Sequence, residues 1–336
     1  MKSLQTFSIR RHRVVFWGGL ILATVLVATI SLWTGSVQLS PQEILRVFCG
    51  QDTTSTTAKI ILYTRLPRVC AAMLSGAALS VAGAVIQTVL QNPLASPGII
   101  GVNSSAGLAV ACVCAIAPSA QRFTPFIAFA GAFIGVMLVM ILAEKTGASR
   151  MTVVLAGVAV SNLFSAGIDA VVTLVPEALT GVTDFRIGGF TGVTMEQLRP
   201  AAVLILVSLF LVCSLAQQLD ILALGTEVAH SLGLSVKMMR VVFLLLAAAL
   251  AGAAVSFAGL LSFVGLVVPH IMRQIQGETS DSFLLSSAIG GALFVMLCDL
   301  LARVLFAPFE LPVGIVLAFT GAPFFLWMLL KKGGHA

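Results

Sequence analysis

Charge is scarce in this 336-residue chain. Asp, Glu, Lys and Arg make up 10% of it, where a soluble globular protein carries roughly 25%. A water-facing surface could not be covered with so few charges, so a soluble fold is excluded. The six cysteines, at 49, 70, 112, 114, 213 and 298, form no CxxC pair and lie mainly inside apolar runs. They outline neither a disulfide framework nor a metal site and read as small hydrophobes in helix packing. HExxH, GxSxG and GxxxxGK[ST] are all missing, so the zinc-hydrolase, serine-nucleophile and phosphate-loop devices are missing too. His270 follows Pro269 without a second ligand in view and reads as structural.

What the chain has instead is uninterrupted hydrocarbon. Mean hydropathy is +1.08, and Val14 to Trp33 is twenty residues without a charge, where a bilayer core needs about 20 helical residues. Charge-free stretches also run 123–143, 151–168, 200–219, 282–298 and 311–330. The 69–121 stretch is long enough for two crossings, and 241–272 holds a normal helix plus a short one. About ten segments of roughly 20 residues or fewer result. In lipid the backbone must close its own hydrogen bonds, which permits helices or a closed barrel. The ten-residue alternation of a barrel is missing. The fold expected is an all-α membrane protein of about ten transmembrane helices, one domain over 1–336.

The net charge of +6 does not argue for nucleic acid, because the basic residues sit mostly at segment ends. Arg10, Arg11 and Arg13 precede the first apolar run, and Lys331 and Lys332 follow the last. Basic flanks mark the cytoplasmic side, so both termini are expected inside. The first run exceeds the 7–15 residues of a signal h-region and no A-x-A site follows, so it reads as an uncleaved helix, bracketed by Trp17 and Trp33. The layout puts eleven Lys and Arg inside and eight outside. Three of the outer ones, Arg65, Arg68 and Arg303, stand at helix ends. They either snorkel to head groups or form a basic docking surface for an acidic partner. Asp299, one turn from Arg303, is its natural ion-pair partner.

Four further features stand out. A helix starting at Arg65-Leu66-Pro67-Arg68, after a polar stretch with a short surface helix at Ser40–Glu43, carries a small-residue face: Gly76, Ala77, Ser80, Gly83 and Ala84. Such a face suits close helix contact. The uncharged break 91–98 includes Asn92 and Pro93, and irregular backbone at membrane depth is tolerated where it is buried or lines a cavity. Asp169 lies inside the 151–174 crossing, where an acid is a functional candidate by default; the alternative is a hydrogen-bonded residue near the outer helix end. Residues 217–240 form a polar inner insertion with a short helix over 226–232, Thr226 as its cap and Gly233 as its stop. Val228 and Leu232 share one face there, away from Glu227. The 69–101 and 241–273 regions also look like an internal repeat, each a small-residue helix and then a broken segment, and paired interruptions point to a transport site.

Five stretches, in order across nearly the whole chain, resemble the permease family that imports vitamin B12, iron-siderophores and haem. They are Arg65-Leu66-Pro67-Arg68; Gly76 to Leu79 running on through Gln91-Asn92-Pro93-Leu94-Ala95-Ser96-Pro97-Gly98 to Val102; Leu224 to Gly233; Phe263 to Arg273; and Glu310-Leu311-Pro312-Val313-Gly314 with Gly321-Ala322-Pro323. The resemblance implies a ten-helix permease paired with a second copy or a paralogue around a central pathway, in the bacterial cytoplasmic (inner) membrane. Two ATPase subunits would lie beneath and an extracytoplasmic binding protein above. ATP and Mg would then belong to the partner, with no cofactor on this chain. Arg65, Arg68 and Arg303 match arginines that meet the binding protein's acids. Glu227, Val228, Ala229, Leu232 and Gly233 match the coupling helix that rests on the ATPase. Ser161, Asn162 and Ser165 take a pathway role, with Asp169, Asn92 and Pro93 as further pathway candidates. The outer loop 180–199 matches none of the family's motifs, which leaves it open to a gating role. The resemblance favours iron-siderophore as cargo, with haem and B12 open. The competing reading is an ion-gradient-driven transporter, which places ionisable residues at the midplane; Asp169 alone qualifies, and poorly.

Overall fold

The computed structural model describes residues 2–35, 40–50, 55–145, 150–276, 280–305, 307 and 309–333, and every regular element among them is helical. Seven helices are long and apolar enough to cross a bilayer. They are α1 (Lys2–Trp33), the run from α3 (Thr56–Ile60) through α4 (Leu66–Leu90), α6 (Thr124–Lys145), α7 (Arg150–Leu174), α9 (Met195–Ser214), α12 (Val236–Ala258) and α14 (Ser280–Val304). The apolar stretches Val102–Ile116 of α5 (Val102–Ile116) and Val313–Met328 of α15 (Val313–Gly333), with the 13-residue α13 (Val264–Gln276), are roughly consistent with the ten crossings expected.

The second crossing begins earlier than its sequence suggests. Ser55 caps α3, its Oγ accepting from Ala58 N at 3.0 Å, so the helix starts nine residues before Arg65. Pro67 lacks the N–H that would bond Tyr63 O, and its ring would strike that carbonyl in a regular helix. The chain answers with a π turn over Ile61–Arg65, a wider turn of the kind that π-bulges insert into helices. Short α2 (Pro41–Phe48) packs Val47 against Ala58 and Ile61. It opens on a reciprocal cap: Ser40 Oγ accepts from Glu43 N, and Glu43 Oε2 accepts from Ser40 N at 2.9 Å. The ninth helix also starts early, because Thr194 and Gln197 form a capping box that leads the chain in at Met195.

At the centre, α4 packs on α12 and α14, and both α4 and α12 are mostly buried. These two headed the apparent repeat, and they meet each other at the middle of the bundle. Small residues permit the approach. A Cβ on Gly76 would fall within the van der Waals shell of the Gly291 carbonyl on α14, and one on Gly83 within that of Gly265 on α13. Gln87 Nε2 donates to Gly265 O at 3.0 Å across the same contact. Lipid supplies no hydrophobic drive between helices, so such packing carries the association. Gly83→Ala is therefore expected to destabilise the bundle by about 1–3 kcal/mol, the usual penalty of overpacking. Thermal unfolding in detergent reads it, and a melt equal to the wild type's would show that the contact has slack.

The outer loop is more ordered than its composition suggests. Its helix α8 (Leu179–Ile187) ends at Gly188, and main-chain bonds hold it on two sides: Leu260 N to Phe185 O at 2.9 Å, Gly189 N to Ala258 O at 2.8 Å and Gly314 N to Gly188 O at 3.3 Å. The inner insertion needs correction at its start. Residues 216–223 form α10 (Ala216–Ala223), whose Leu219 and Leu222 are buried against α4 and α14. The insertion proper is 224–235, which rests on the bundle through Ala229 and Leu234.

Candidate functional surfaces

At the expected outer end, five charged side chains converge. Arg68 chelates Asp299, Nε and Nη2 each 3.0 Å from Oδ1, and its Nη1 reaches Glu310 Oε2 at 2.6 Å. Arg303 Nε lies 3.2 Å from Asp299 Oδ2, and its Nη1 donates to Ser31 O at 3.0 Å and Thr34 O at 2.8 Å. Arg65 donates to Leu32 O at 2.8 Å and to Trp33 O. The last carbonyls of α1, which no helical N–H can reach, thus take their donors from two arginines. Arg65, Arg68 and Arg303 are only 5%, 8% and 7% exposed, and Asp299 2%. The cluster pins the outer ends of α1, α4 and α14 to the segment before α15. The Asp299–Arg303 pair was legible from spacing; the share of Arg68 was not, because 231 residues separate it from Asp299. Arg65 and Arg68 stand three residues apart, a spacing that would share one face of a regular helix. They reach different neighbours instead, Arg65 closing the π turn toward α1 and Arg68 turning to α14.

Along α7, Asn162, Leu163, Ala166, Asp169 and Thr173 share an uncovered face, with Ser165 half-buried at its edge. Thr173 Oγ1 donates to Asp169 O at 2.7 Å. Ser161 turns inward beside Gly101, and its buried Oγ has no partner among the described residues. Asn92 and Pro93 do not join this stripe. The left-handed Gln91 (φ 49°) ends α4 and donates through Nε2 to Ala223 O at 3.0 Å, while Asn92 Oδ1 accepts from Leu94 N at 2.9 Å in a local turn. That anchoring holds the break at the inner end, beside α10.

The short helix of the insertion is α11 (Thr226–Ser231). Its N-cap is Gly225 (φ 108°) and Thr226 is its first residue, which corrects the expected cap; Gly233 (φ 81°) ends it as expected. Val228 and Leu232 are both exposed and, four apart, form one apolar stripe; Leu224, also exposed, precedes the non-helical Gly225 and ends α10. Glu227 and Gly233 are exposed, but Ala229 is fully buried, so it holds α11 on the bundle and offers nothing to a partner. His270 makes an edge contact with Phe324 and lies 2.9 Å from Gln274 Nε2, in keeping with a structural role.

Comparison with known proteins agrees with this layout. The chain is 36% identical to the Fe(3+)-citrate import system permease protein YfmE of Bacillus subtilis, over 92% of this chain and 93% of that one. It is 40% identical to the Fe(3+) dicitrate transport system permease protein FecD of Escherichia coli, over 81% and 85%. To the hemin transport system permease protein HmuU of Yersinia pestis it is 35% identical, over 94% and 95%. Among solved structures, a metal-chelate type ABC transporter in an inward-facing conformation superposes with a TM-score of 0.82 at 28% identity, covering 95% of this chain and 99% of that one. The sequence model of the FecCD transport family matches residues 22–331, and the chain is a member of that family of ABC transporter permeases.

Proposed function

We propose that this chain is the membrane-spanning permease of an ATP-binding-cassette importer that carries a ferric chelate, of the siderophore class, across the bacterial cytoplasmic membrane by alternating access. It works with a second permease, two ATPase subunits and an extracytoplasmic binding protein, and both its termini lie inside. The observation that carries the reading is the open face of α7. An amide and a carboxylate on the uncovered side of a bilayer-crossing helix belong against water or another polypeptide, not lipid. Two α7 faces from paired permeases make a polar passage, with Asn162 and Asp169 on its wall and Ser165 at its edge. Ser161 supports that wall from behind.

In docking, acids of a binding protein would reach the cluster at Arg68, by exchange with Glu310. Glu310 covers Arg68, and Arg303 Nη2 is buried without an acceptor among the described residues. Acids of a binding protein that displace Glu310 would gain an already charged seat. The apolar stripe of α11 supports the coupling role for Val228 and Leu232.

The test is reconstitution with the ATPase partners and the binding protein, followed by uptake of radiolabelled ferric siderophore. Uptake is expected to require ATP hydrolysis. Uptake that persists with a hydrolysis-dead ATPase and collapses with the proton gradient would favour the ion-driven reading instead.

A further inference from the structure

Helices α6 and α9 both pack on α12 and leave a cleft between them at the end of the bundle where α8 sits. Its upper part is a cavity of about 320 Å³, with Thr124, Asp184, Thr191 and Gln197 in its lining. Its lower part, about 190 Å³, runs over Phe126 and Phe129 of α6, Pro200 and Leu204 of α9 and Ala253 of α12. The two share Pro125, Gln197 and Ser256, so they form one groove with a polar head and a hydrocarbon tail. At 1.5 Å per helical residue, Phe129 and Leu204 lie roughly 8 to 14 Å in from the starts of their helices. Asp184 is the only charged residue in the described lining, and it forms no ion pair among the described residues. Arg186, two places on, points elsewhere around α8, since residues two apart do not share a helix face. No residue of α7 lines either part, so the groove lies outside the passage assigned to that helix.

From this geometry we infer that the groove binds a phospholipid with a primary ammonium head group, the ammonium on Asp184 and one acyl chain along Phe126, Phe129 and Leu204. The helix ends around the head suit such a zwitterion. α12 brings its C-terminal end, at Ser256 and Phe257, while α6 and α9 bring their first turns, at Thr124 and Gln197. A helix C-terminus favours a cation and an N-terminus an anion. Gln197 Oε1 accepts from Thr194 N, so its Nε2 and the hydroxyls of Thr124 and Thr191 are left as donors to the phosphate. A glycerol head group would bring only negative charge to an unpaired carboxylate, and a trimethylated choline has no N–H to give it. A soluble amine would leave the apolar length empty. The lipid fills the space behind α8, on the side away from α7, and so props that helix from outside the passage. Placing the groove in the outer leaflet rests on the orientation proposed above, but lipid retention is read without any transport, so the two can fail separately.

The experiment is native mass spectrometry of the permease–ATPase complex in mild detergent, with phosphatidylethanolamine, phosphatidylcholine or phosphatidylglycerol added at equal concentration. Wild-type complex is expected to retain phosphatidylethanolamine at least fivefold better than either of the others. Asp184→Asn, at an exposed position, should bring the three within twofold of one another, while Asp184→Glu keeps a preference of at least threefold. Leu204→Trp, which fills the lower part, should lower phosphatidylethanolamine retention at least fivefold. Phe126→Ala, at an exposed position, should lower it at least twofold and guards against a folding artefact in Leu204→Trp. Millimolar phosphoethanolamine should displace nothing. Equal retention of phosphatidylethanolamine and either other lipid, or an unchanged preference in Asp184→Asn, would overturn the proposal. So would displacement by phosphoethanolamine, which would mark a site for soluble amines. Full retention in both Leu204→Trp and Phe126→Ala would place the lipid elsewhere and overturn it as well.

Discussion

Asp299→Ala should be among the most destabilising single substitutions in this chain, lowering its unfolding free energy by about 3–5 kcal/mol, the usual consequence of removing one partner from a buried ion pair. The carboxylate is shared by Arg68 and Arg303, all three nearly inaccessible. Without it Arg303 keeps its carbonyl acceptors on α1, but its charge is left without a counter-ion. Arg68 keeps Glu310, whose side chain is 32% exposed and therefore a weaker partner. Glu310→Gln is accordingly expected to cost at most about 1 kcal/mol, in the range of exposed pairs. Thermal unfolding of the purified permease in one detergent reads both. A double-mutant cycle between Asp299→Ala and Arg68→Met should then show coupling, because Arg68→Met removes one of the stranded charges. An Asp299→Ala protein that melts with the wild type would mean the cluster does not hold the outer helix ends together.

Val228→Asp with Leu232→Asp should weaken association with the ATPase subunits at least tenfold and cut ATP-driven uptake in proportion, while the permease itself melts normally. Val228 and Leu232 are 45% and 60% exposed, so the folded chain tolerates the charges. A partner that buries them would have to desolvate two carboxylates. Loss of the apolar contact adds to this, since a few buried side chains carry most of an interface's energy, and about 1.4 kcal/mol already makes a tenfold change. Ala229→Asp supplies the contrast. That side chain is fully buried, so the substitution should lower the melting temperature of the permease before it affects any partner. Co-purification of the ATPase and a thermal melt of each variant separate the two. Undiminished association of the Val228 and Leu232 variant would remove α11 from the coupling interface.

The crossings were legible because lipid leaves the sequence little choice. A charge-free run of twenty residues has to be a helix, and the small-residue face of α4 announced close neighbours, which Gly291 and Gly265 turned out to be. Boundaries were less legible where local chemistry overrode composition. Thr56, Thr57 and Lys59 made the start of the second crossing look like loop, while the cap at Ser55 and the π turn ahead of Pro67 fold it as helix. Polar residues likewise disguised α10, whose Gln217, Gln218 and Asp220 are interspersed among buried Ala216, Leu219 and Leu222. At the sites, patterns within one helix could be read, as with Val228 and Leu232. Partnerships between distant segments could not, since nothing in residues 65–68 tells Arg68 that its acids stand at 299 and 310.

The main-chain bonds that join α8 to the 258–260 turn and to the head of α15 carry a consequence for how that end of the bundle moves. Such bonds involve no side chain, so most substitutions leave them in place; the exceptions are a proline at Gly189 or Leu260 and any side chain at Gly314, whose Cβ would strike Ile187 O. Any motion of α8 must then drag the neighbouring helix ends along with it, and the three behave as one rigid cap. Sequence drift in that region can retune which molecules fit beneath it without disturbing the way it moves.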